Sequence, residues 1–272
     1  MPPSTVDARI LLGWMEHDEA MACLQKDCWF DPSLTEQQSE DMWTAYKTRV
    51  DNLPERVIQP PVRQPIPASQ RHIANNFRIR TQGPEVIDVI NIDPTGLVVY
   101  QKYVVIDRVE HHCVQPGDWS KKTLLLDRPS AQLNLRMENG TIKVNLTHAE
   151  HVFELHPDGA FRIGQGGGFV CVVDVEGRLL LRAGYHRSFG FARTVRNELD
   201  AKDKCVLVAL TRTVPAQLLP GWPQGGLRTM VLGPRAPLFS DFFDDDFAMT
   251  VKLRKKRYEM HIRAETVAVD DV

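Results

Sequence analysis

The sequence lacks the features that mark membrane and secreted proteins. No apolar run approaches the roughly 18 residues that a helix needs to cross a bilayer. Residues 1–7 carry neither the basic start nor the apolar stretch of a signal peptide. The five cysteines are scattered along the chain, and their odd number argues against a disulfide framework. We therefore expect a cytoplasmic protein that makes no contact with a membrane.

The sequence also lacks a large excess of charge of either sign. Its formal net charge is -2, so the chain as a whole does not attract nucleic acid or an anionic membrane. Any binding to nucleic acid has to come from a local basic patch. The chain has 272 residues, of which 43% are hydrophobic and 25% charged, and this composition is that of a globular protein able to bury a core.

Familiar catalytic and metal-binding motifs are missing as well. The chain has no Gly-x-Ser-x-Gly elbow, no pair of CxxC units and no HExxH spacing. His111, His112 and Cys113 are adjacent, but neighbouring residues of a strand point to opposite faces. The sequence therefore predicts no metal site, names no catalytic residue, and leaves open whether the chain is an enzyme.

Helical patterns and prolines organise the first part of the chain. Residues 1–53 are predicted to be helical, and Thr35 and Gln38 have the spacing of a capping box at a helix start. Residues 54–76 are predicted to form a Pro-rich linker, or a strap that lies on another surface. This prediction rests on five prolines in a short stretch, Pro54, Pro60, Pro61, Pro65 and Pro67.

Strand patterns dominate the remainder of the chain, residues 77–272. Val86–Ile92 is an apolar stretch rich in β-branched residues, and Asn139-Gly140 separates two alternating segments in the manner of a β-hairpin. Helical stretches occur at intervals. The predicted fold class is α+β, with a small N-terminal helical segment followed by a β-rich domain.

One stretch of this β-rich segment combines strands, a glycine turn and a helix. Phe169–Asp174 and Arg178–Arg182 are predicted to pair as a hairpin, and Cys205–Leu210 is predicted to form a further strand. Between the hairpin and that strand, Gly184-Tyr185-His186-Arg187 precedes a helical pattern. The predicted unit is therefore strand, Gly turn, helix, strand.

The residues of this turn suit a phosphate group. Gly184 permits a positive-φ turn and a close approach of a ligand to the backbone. The start of a helix presents unpaired N–H groups and a partial positive charge. Arg187 offers a bidentate fork on the first turn, His186 offers a hydrogen bond, and Ser188 lies beside them. The predicted phosphate-binding residues are therefore Gly184, His186, Arg187 and Ser188.

The arrangement resembles the Gly-x-x-Arg box of the ParB/sulfiredoxin superfamily, and it is similar to the Gly-His-Arg turns of DGQHR-type proteins. The likeness covers about Val170 to Leu210. It implies a ParB/sulfiredoxin-like domain in a bacterial intracellular protein that binds a nucleotide, with Mg²⁺, or a nucleic-acid phosphate. The resemblance assigns Gly184 as the turn glycine, Arg187 as the phosphate-binding arginine and Ala192 as the residue that packs the helix.

The chain departs from this superfamily in several respects. We find no helix-turn-helix pattern after the box and no arginine-rich box near the start of the β-rich segment. A sulfiredoxin-like activity would need a reactive cysteine in the turn, where this chain has Tyr185. The nearest cysteines, Cys171 and Cys205, lie in apolar strand patterns and are predicted to be buried and inert.

A basic run near the end of the sequence is a second candidate site. In a strand, alternation would place Lys252, Arg254 and Lys256 on one face, where they could contact nucleic-acid phosphates or an acidic partner. The same pattern is expected of a solvated edge strand that its lysines protect from pairing.

An interaction protein without a nucleotide site is the alternative function. It is suggested by the lack of a complete catalytic motif together with the tryptophans of the N-terminal helical segment, Trp14, Trp29 and Trp43. These helices would bind a protein partner or a second copy of the chain. In that case the Gly184 turn is a plain helix start, and Arg187 pairs with Asp174 or Glu198.

Overall fold

A computed structural model of the chain describes residues 4–80, 86–106, 134–138, 141–146, 151–155, 161–165, 170–198, 205–211, 226–254 and 258–263. It divides into two compact units, Met1–Arg128 with Gly168–Arg254 and Pro129–Gly167 with Lys255–Val272. Both units are described separately below. The structure contains helices and both antiparallel and mixed sheets, which confirms the α+β class in general terms.

The described residues form the following elements. The helices are α1 (His17–Ala22), α2 (Glu36–Asp51), α3 (Ala68–Arg80), α4 (Tyr185–Glu198) and α5 (Gly226–Leu232). The strands are β1 (Thr5–Ile10), β2 (Cys28–Trp29), β3 (Val86–Ile92), β4 (Tyr103–Val105), β5 (Asn134–Glu138), β6 (Thr141–Leu146), β7 (His151–Leu155), β8 (Phe161–Gln165), β9 (Cys171–Val175), β10 (Arg178–Ala183), β11 (Val206–Thr211), β12 (Met249–Arg254) and β13 (Tyr258–Arg263). Of these helices, none is both long enough and apolar enough to cross a bilayer.

The first sheet of the larger unit has the strand order β2-β12-β1-β4. β1 pairs with β12 in an antiparallel register that sets Thr5 opposite Arg254 and Ile10 opposite Met249. The prediction of helix throughout residues 1–53 missed this strand. The signal is present, because Ala8 and Ile10 are buried, whereas Asp7 and Arg9, which alternate with them, are charged, and this alternation is typical of a half-buried strand.

The second sheet of the larger unit has the order β10-β9-β11-β3. β9 and β10 form the predicted hairpin, closed by Glu176 at φ 51° and Gly177 at φ 83°, two positive values typical of a type I′ turn. β11 runs parallel to β9 and antiparallel to β3. Every residue of β11 is buried, which explains the apolar run from Val206 to Leu210. The predicted strands over this region and over Val86–Ile92 are confirmed.

Of two helices in the N-terminal half, the sequence pattern predicted α2 but not α3. α2 begins at the predicted capping box, in which the Thr35 hydroxyl accepts from the backbone N–H of Gln38 at 3.2 Å and the Thr35 N–H donates to the Gln38 side chain at 2.8 Å. α3 was not predicted. It starts directly after Pro67, which suits a helix start, and it buries Ala74 in a cluster with Val89 of β3.

The proline-containing residues 54–67, which we call the strap, are hydrogen-bonded to other parts of the larger unit. The N–H of Arg56 donates to the carbonyl oxygen of Pro234 at 2.7 Å, and the N–H of Gln64 donates to that of Asn91 at 2.8 Å. The Asn91 side chain in turn donates to the carbonyl oxygen of Pro65 at 3.2 Å. The three-part division of the chain at residues 53 and 76 stays a prediction.

A buried ion pair also fixes the strap. The Arg56 guanidinium donates to both carboxylate oxygens of Asp241, at 2.6 Å and 3.0 Å, and lies over the rings of Trp14 and Phe247. Burial raises the pKa of the Asp241 carboxyl, although the hydrogen bonds from Arg56 act in the opposite direction. Because the carboxyl is buried, its charge depends on Arg56 for compensation.

The smaller unit is described by its strands alone. β13, β6 and β5 form one sheet, and β7 pairs with β8 in another. β5 and β6 are antiparallel, with Glu138 opposite Thr141, so the two strands of the predicted Asn139-Gly140 hairpin are confirmed. The turn residues themselves lie outside the described residues.

A buried tyrosine hydroxyl joins three segments of the larger unit. Tyr185, the first residue of α4, is 3% exposed, and its hydroxyl donates to the carbonyl oxygen of Leu181 in β10 at 2.7 Å. It accepts from the backbone N–H groups of Tyr100 and Gln101 at 3.0 Å and 3.2 Å. Burial raises the pKa of Tyr185, so the hydroxyl keeps its proton and remains a donor.

We expect Tyr185→Phe to lower the free energy of unfolding by about 1–3 kcal/mol, because buried backbone groups lose their partner. The measurement is urea unfolding followed by circular dichroism. Tyr100→Phe is the matched control, since Tyr100 is half-buried and its hydroxyl donates to the carbonyl oxygen of Arg182. Equal losses of stability in the two variants would contradict the role given to Tyr185.

Candidate functional site

The predicted unit of strand, Gly turn, helix and strand is present in the larger unit. The hairpin of β9 and β10 leads through Gly184 into α4, and the chain then returns as β11. β11 lies beside β9 in parallel, with Ala209 opposite Cys171 and Thr211 opposite Val173. The start of α4 therefore follows the end of β10, at one side of a four-stranded sheet.

Gly184 is required by the fold itself. Its φ of +93° is a value that residues with a side chain rarely adopt, and its carbonyl oxygen accepts the first hydrogen bond of α4 from the N–H of Ser188 at 2.9 Å. A Cβ at this position would lie 2.6 Å from Cγ2 of Val170 and 2.9 Å from its Cα. The predicted positive-φ turn is confirmed. The space that a Cβ of residue 184 would need is occupied by Val170.

The buried face of α4 differs in part from the one that the sequence predicts. On a helical wheel the sequence predicts that Phe191 and Ala192 share one face and that Phe189 lies elsewhere. Phe191 and Ala192 are buried, but Phe189 is also only 4% exposed. Phe189 stacks on Phe243 with ring centroids 4.7 Å apart. The helical wheel centred on Phe191 missed an earlier apolar row, since Tyr185, Phe189 and Ala192 recur at the spacing of one helix face.

The other predicted phosphate-binding residues lie together on the first turn of α4, at different depths. Arg187 is half-buried, and His186 is 9% exposed. Ser188 is fully buried, and its Oγ has no hydrogen-bond partner among the described residues. The side chain of Arg187 is thus better placed than that of Ser188 to meet a ligand from solution.

The electrostatics of this turn favour an anion. The first turn of α4, all of which the structure describes, contains no acidic residue. The N-terminal end of a helix carries a partial positive charge, and its first N–H groups have no acceptor within the helix. Arg187 adds a full positive charge at the same end. The arrangement has the polarity of an anion-binding helix start.

The second candidate site, the basic run, lies on the other sheet. Lys252 and Arg254 are exposed on the same face of β12, as the alternation predicted, whereas Lys256 is outside the described residues. β12 has β1 on one side and β2 on the other, so it is not the edge strand that the alternative interpretation expected. Lys252 forms an ion pair with Asp7 at 3.1 Å across the β1–β12 pair. This carboxylate offsets part of the positive charge of the patch.

Other residues singled out in the sequence contribute no site within the described part of the chain. His111, His112 and Cys113 lie outside it. Among the described residues, no group of three His, Cys, Asp or Glu side chains is placed to hold a metal ion. Cys171 and Cys205, which were predicted to be buried, are both half-buried.

One cavity was not foreseen from the sequence. It has a volume of about 320 Å³ and lies beside α3, lined by Pro65, Ile66, Arg71, Ala74 and Asn75. These residues belong to the strap and to a helix that was not predicted, so no motif pointed to them. None of the predicted site residues lines this cavity.

Comparisons with known proteins assign neither a family nor a function to this chain. No protein-family model, no curated protein and no solved structure matches this chain. The resemblance to the ParB/sulfiredoxin superfamily therefore stays a prediction that rests on the residues of the Gly184 turn.

We expect Gly184→Ala to destabilise the protein more than Gly177→Ala. Both glycines have a positive φ, so both variants incur backbone strain of about 1–2 kcal/mol. A Cβ at residue 177 has no atom within 4 Å, whereas one at residue 184 overlaps Val170, which adds about 1–3 kcal/mol. Thermal unfolding of the two variants measures the difference. Equal melting temperatures would show that the contact with Val170 is relaxed at no cost.

Proposed function

We propose that this chain binds a phosphate group, of a nucleotide or of nucleic acid, at the first turn of α4. The observation that carries the proposal is a half-buried arginine, Arg187, on the first turn of a 14-residue helix that directly follows a positive-φ glycine and has no acidic residue in that turn. The ParB/sulfiredoxin-like assignment belongs to the same proposal, and so does a requirement for Mg²⁺ with a nucleotide.

Two kinds of group would hold the phosphate. The backbone N–H groups at the helix start supply directional hydrogen bonds, and the Arg187 guanidinium supplies a charge-assisted, bidentate contact. Tyr185 fixes the orientation of the turn, because its hydroxyl is bonded to β10 and to residues 100 and 101. A turn held in this way binds an anion without first having to be ordered.

The side chains behind Arg187 would have lesser roles. His186 is almost buried, and the Ser188 hydroxyl is fully enclosed, so neither presents much surface to a ligand. We therefore assign the main side-chain contact to Arg187. Ser188 would support the turn from inside and remain out of contact with the phosphate.

Binding of ATP, GTP and a single-stranded oligonucleotide, each with and without Mg²⁺, tests the proposal. A ligand at a hundred times its Kd stabilises the native state by about 2.7 kcal/mol, which a thermal-shift assay detects. We expect Arg187→Ala to weaken binding of the active ligand by about 10- to 100-fold, as for the loss of a hydrogen bond to a charged group. Isothermal titration gives the change in Kd.

Arg193→Ala is the matched control, since Arg193 is an exposed arginine of the same helix, further from its start. It should bind like the unmodified protein. Ser188→Ala should also keep its affinity, and it should raise the melting temperature because it removes a buried hydroxyl that has no partner among the described residues. Equal affinity of Arg187→Ala and the unmodified protein for the active ligand, or no shift with any phosphate ligand, would remove the proposal.

A second candidate function, protein interaction, is favoured by exposed apolar side chains on the strap. Val57 is 87% exposed and Val62 is 74% exposed. Two valines left in water on a segment whose backbone is fixed to the larger unit could be covered by a second copy of the chain. This surface differs from the N-terminal helices to which the sequence assigned such a role.

Light scattering over a range of protein concentrations tests this second function. If copies associate through the strap, the double variant Val57→Ser and Val62→Ser should lower the average mass at a given concentration, because less apolar surface is buried. Ala45→Arg, at an exposed position of α2, is the control that tests the helical surface instead. A mass equal to that of one chain at every concentration excludes self-association through either surface.

A further inference from the structure

Two cysteines flank a wide helical turn that directly follows α1. Cys23–Asp27 forms a single turn of π-helix, and the backbone N–H of Cys28 donates to the carbonyl oxygen of Cys23 across it. Turns of π-helix are rare in proteins, and those that occur often lie at functional sites. The hydrogen bond ties residue 23 to residue 28, so the two thiols are held side by side by the backbone.

The two sulfur atoms are in van der Waals contact. Sγ of Cys23 and Sγ of Cys28 lie 3.8 Å apart, and neither is part of a disulfide. A disulfide bond is about 2.04 Å long, so the sulfur atoms have to approach each other by roughly 1.8 Å. Forming the bond requires the two side chains to rotate toward each other.

The surroundings of the two thiols are unequal. Cys28 is 2% exposed and belongs to an apolar cluster with Ala8, Leu24 and Val251, whereas Cys23 is half-buried at the edge of that cluster. The hydrogen bond with Cys23 and the burial of the side chain raise the pKa of the Cys28 thiol. Cys23 is therefore the thiol that a reagent in solution meets first, and Cys28 is protected behind it.

We propose that Cys23 and Cys28 form an intramolecular redox pair that is oxidised to a disulfide by exchange with a small disulfide in solution. The Cys23 thiolate attacks one sulfur of the small disulfide, forms a mixed disulfide and releases one small thiolate. Cys28 then gives up its proton and attacks the Cys23 sulfur, which releases the second small thiolate. The small disulfide is reduced to two thiols, and the protein loses two hydrogen atoms.

The place of Cys28 in the fold links this pair to the first sheet. Cys28 belongs to β2, where it lies opposite Leu253 of β12. Closing the bond fixes β2 to the turn after α1. We expect the oxidised protein to unfold at a higher temperature than the reduced protein, because the cross-link restricts the unfolded chain.

Tryptic mapping of the full chain after incubation with oxidised glutathione tests the proposal. Lys26 lies between the two cysteines, so cleavage after Arg9, Lys26 and Lys47 separates residues 10–26 from residues 27–47. In the oxidised protein these two peptides should stay joined until a reductant is added. The number of thiols that can be alkylated in denaturant should fall by two.

Single variants separate the two roles. Cys28→Ser removes the resolving thiol, so Cys23 should accumulate as a mixed disulfide with glutathione. Cys23→Ser should leave Cys28 as a thiol, because it is buried. Cys171→Ser and Cys205→Ser are the matched controls, and both should keep the linked peptides. Circular dichroism verifies that each variant is folded.

Some outcomes would overturn the proposal. One is the absence of linked peptides from the unmodified protein under conditions that oxidise a model dithiol. Another is a glutathione adduct at Cys23 that persists in the unmodified protein, since Cys28 would then fail to resolve it. A cross-link to a different cysteine counts against the pair in the same way. These measurements do not depend on whether the chain binds phosphate.

Discussion

The hydroxyl of Tyr185 is the interaction on which the arrangement of the second sheet and α4 depends. It donates to β10 and accepts from two consecutive backbone N–H groups at residues 100 and 101. Val98, two residues before Tyr100, forms one isolated β-bridge with Leu180 of β10 and another with Leu238. One buried oxygen thus satisfies backbone groups in segments far apart in sequence, and it sets the direction in which α4 begins.

Gly184 and Arg187 lie in the same turn but have different roles, one in the fold and the other in the proposed binding of phosphate. The glycine is explained by its positive φ and by Val170, with no need for a ligand. Arg187 lies half-buried on the first turn of α4, and the charge it brings to a helix start suits an anion. The glycine therefore supports the fold, and the case for a phosphate rests on the arginine and the polarity of α4.

Local signals in the sequence predicted much of the local structure. The capping box at Thr35, the hairpin of β9 and β10, and the start of α4 at Gly184 each depend on residues close together in the chain, and all three are present. Long-range pairings left little trace. β1 has a local alternation of apolar and charged residues, but nothing near it in sequence indicates that its partner is β12. The Cys23–Cys28 contact depends on a π-turn that no residue pattern predicts. The phosphate site stays a prediction, since no residue pattern outside the Gly184 turn points to a ligand at this site.

The pairing of β1 with β12 has a consequence for the order of folding. Residues 5–10 are synthesised well before their partners at 249–254. The ion pair of Arg56 with Asp241 likewise joins residues that are far apart in the sequence, so Arg56 is synthesised well before the carboxylate that compensates its charge. Both contacts close large loops, and such contacts form slowly because the loss of chain entropy precedes the gain in contact energy. The first sheet and the strap can therefore be completed only after residues 241–254 have been synthesised, and until then the edge of β1 that pairs with β12 is open to pairing with other chains.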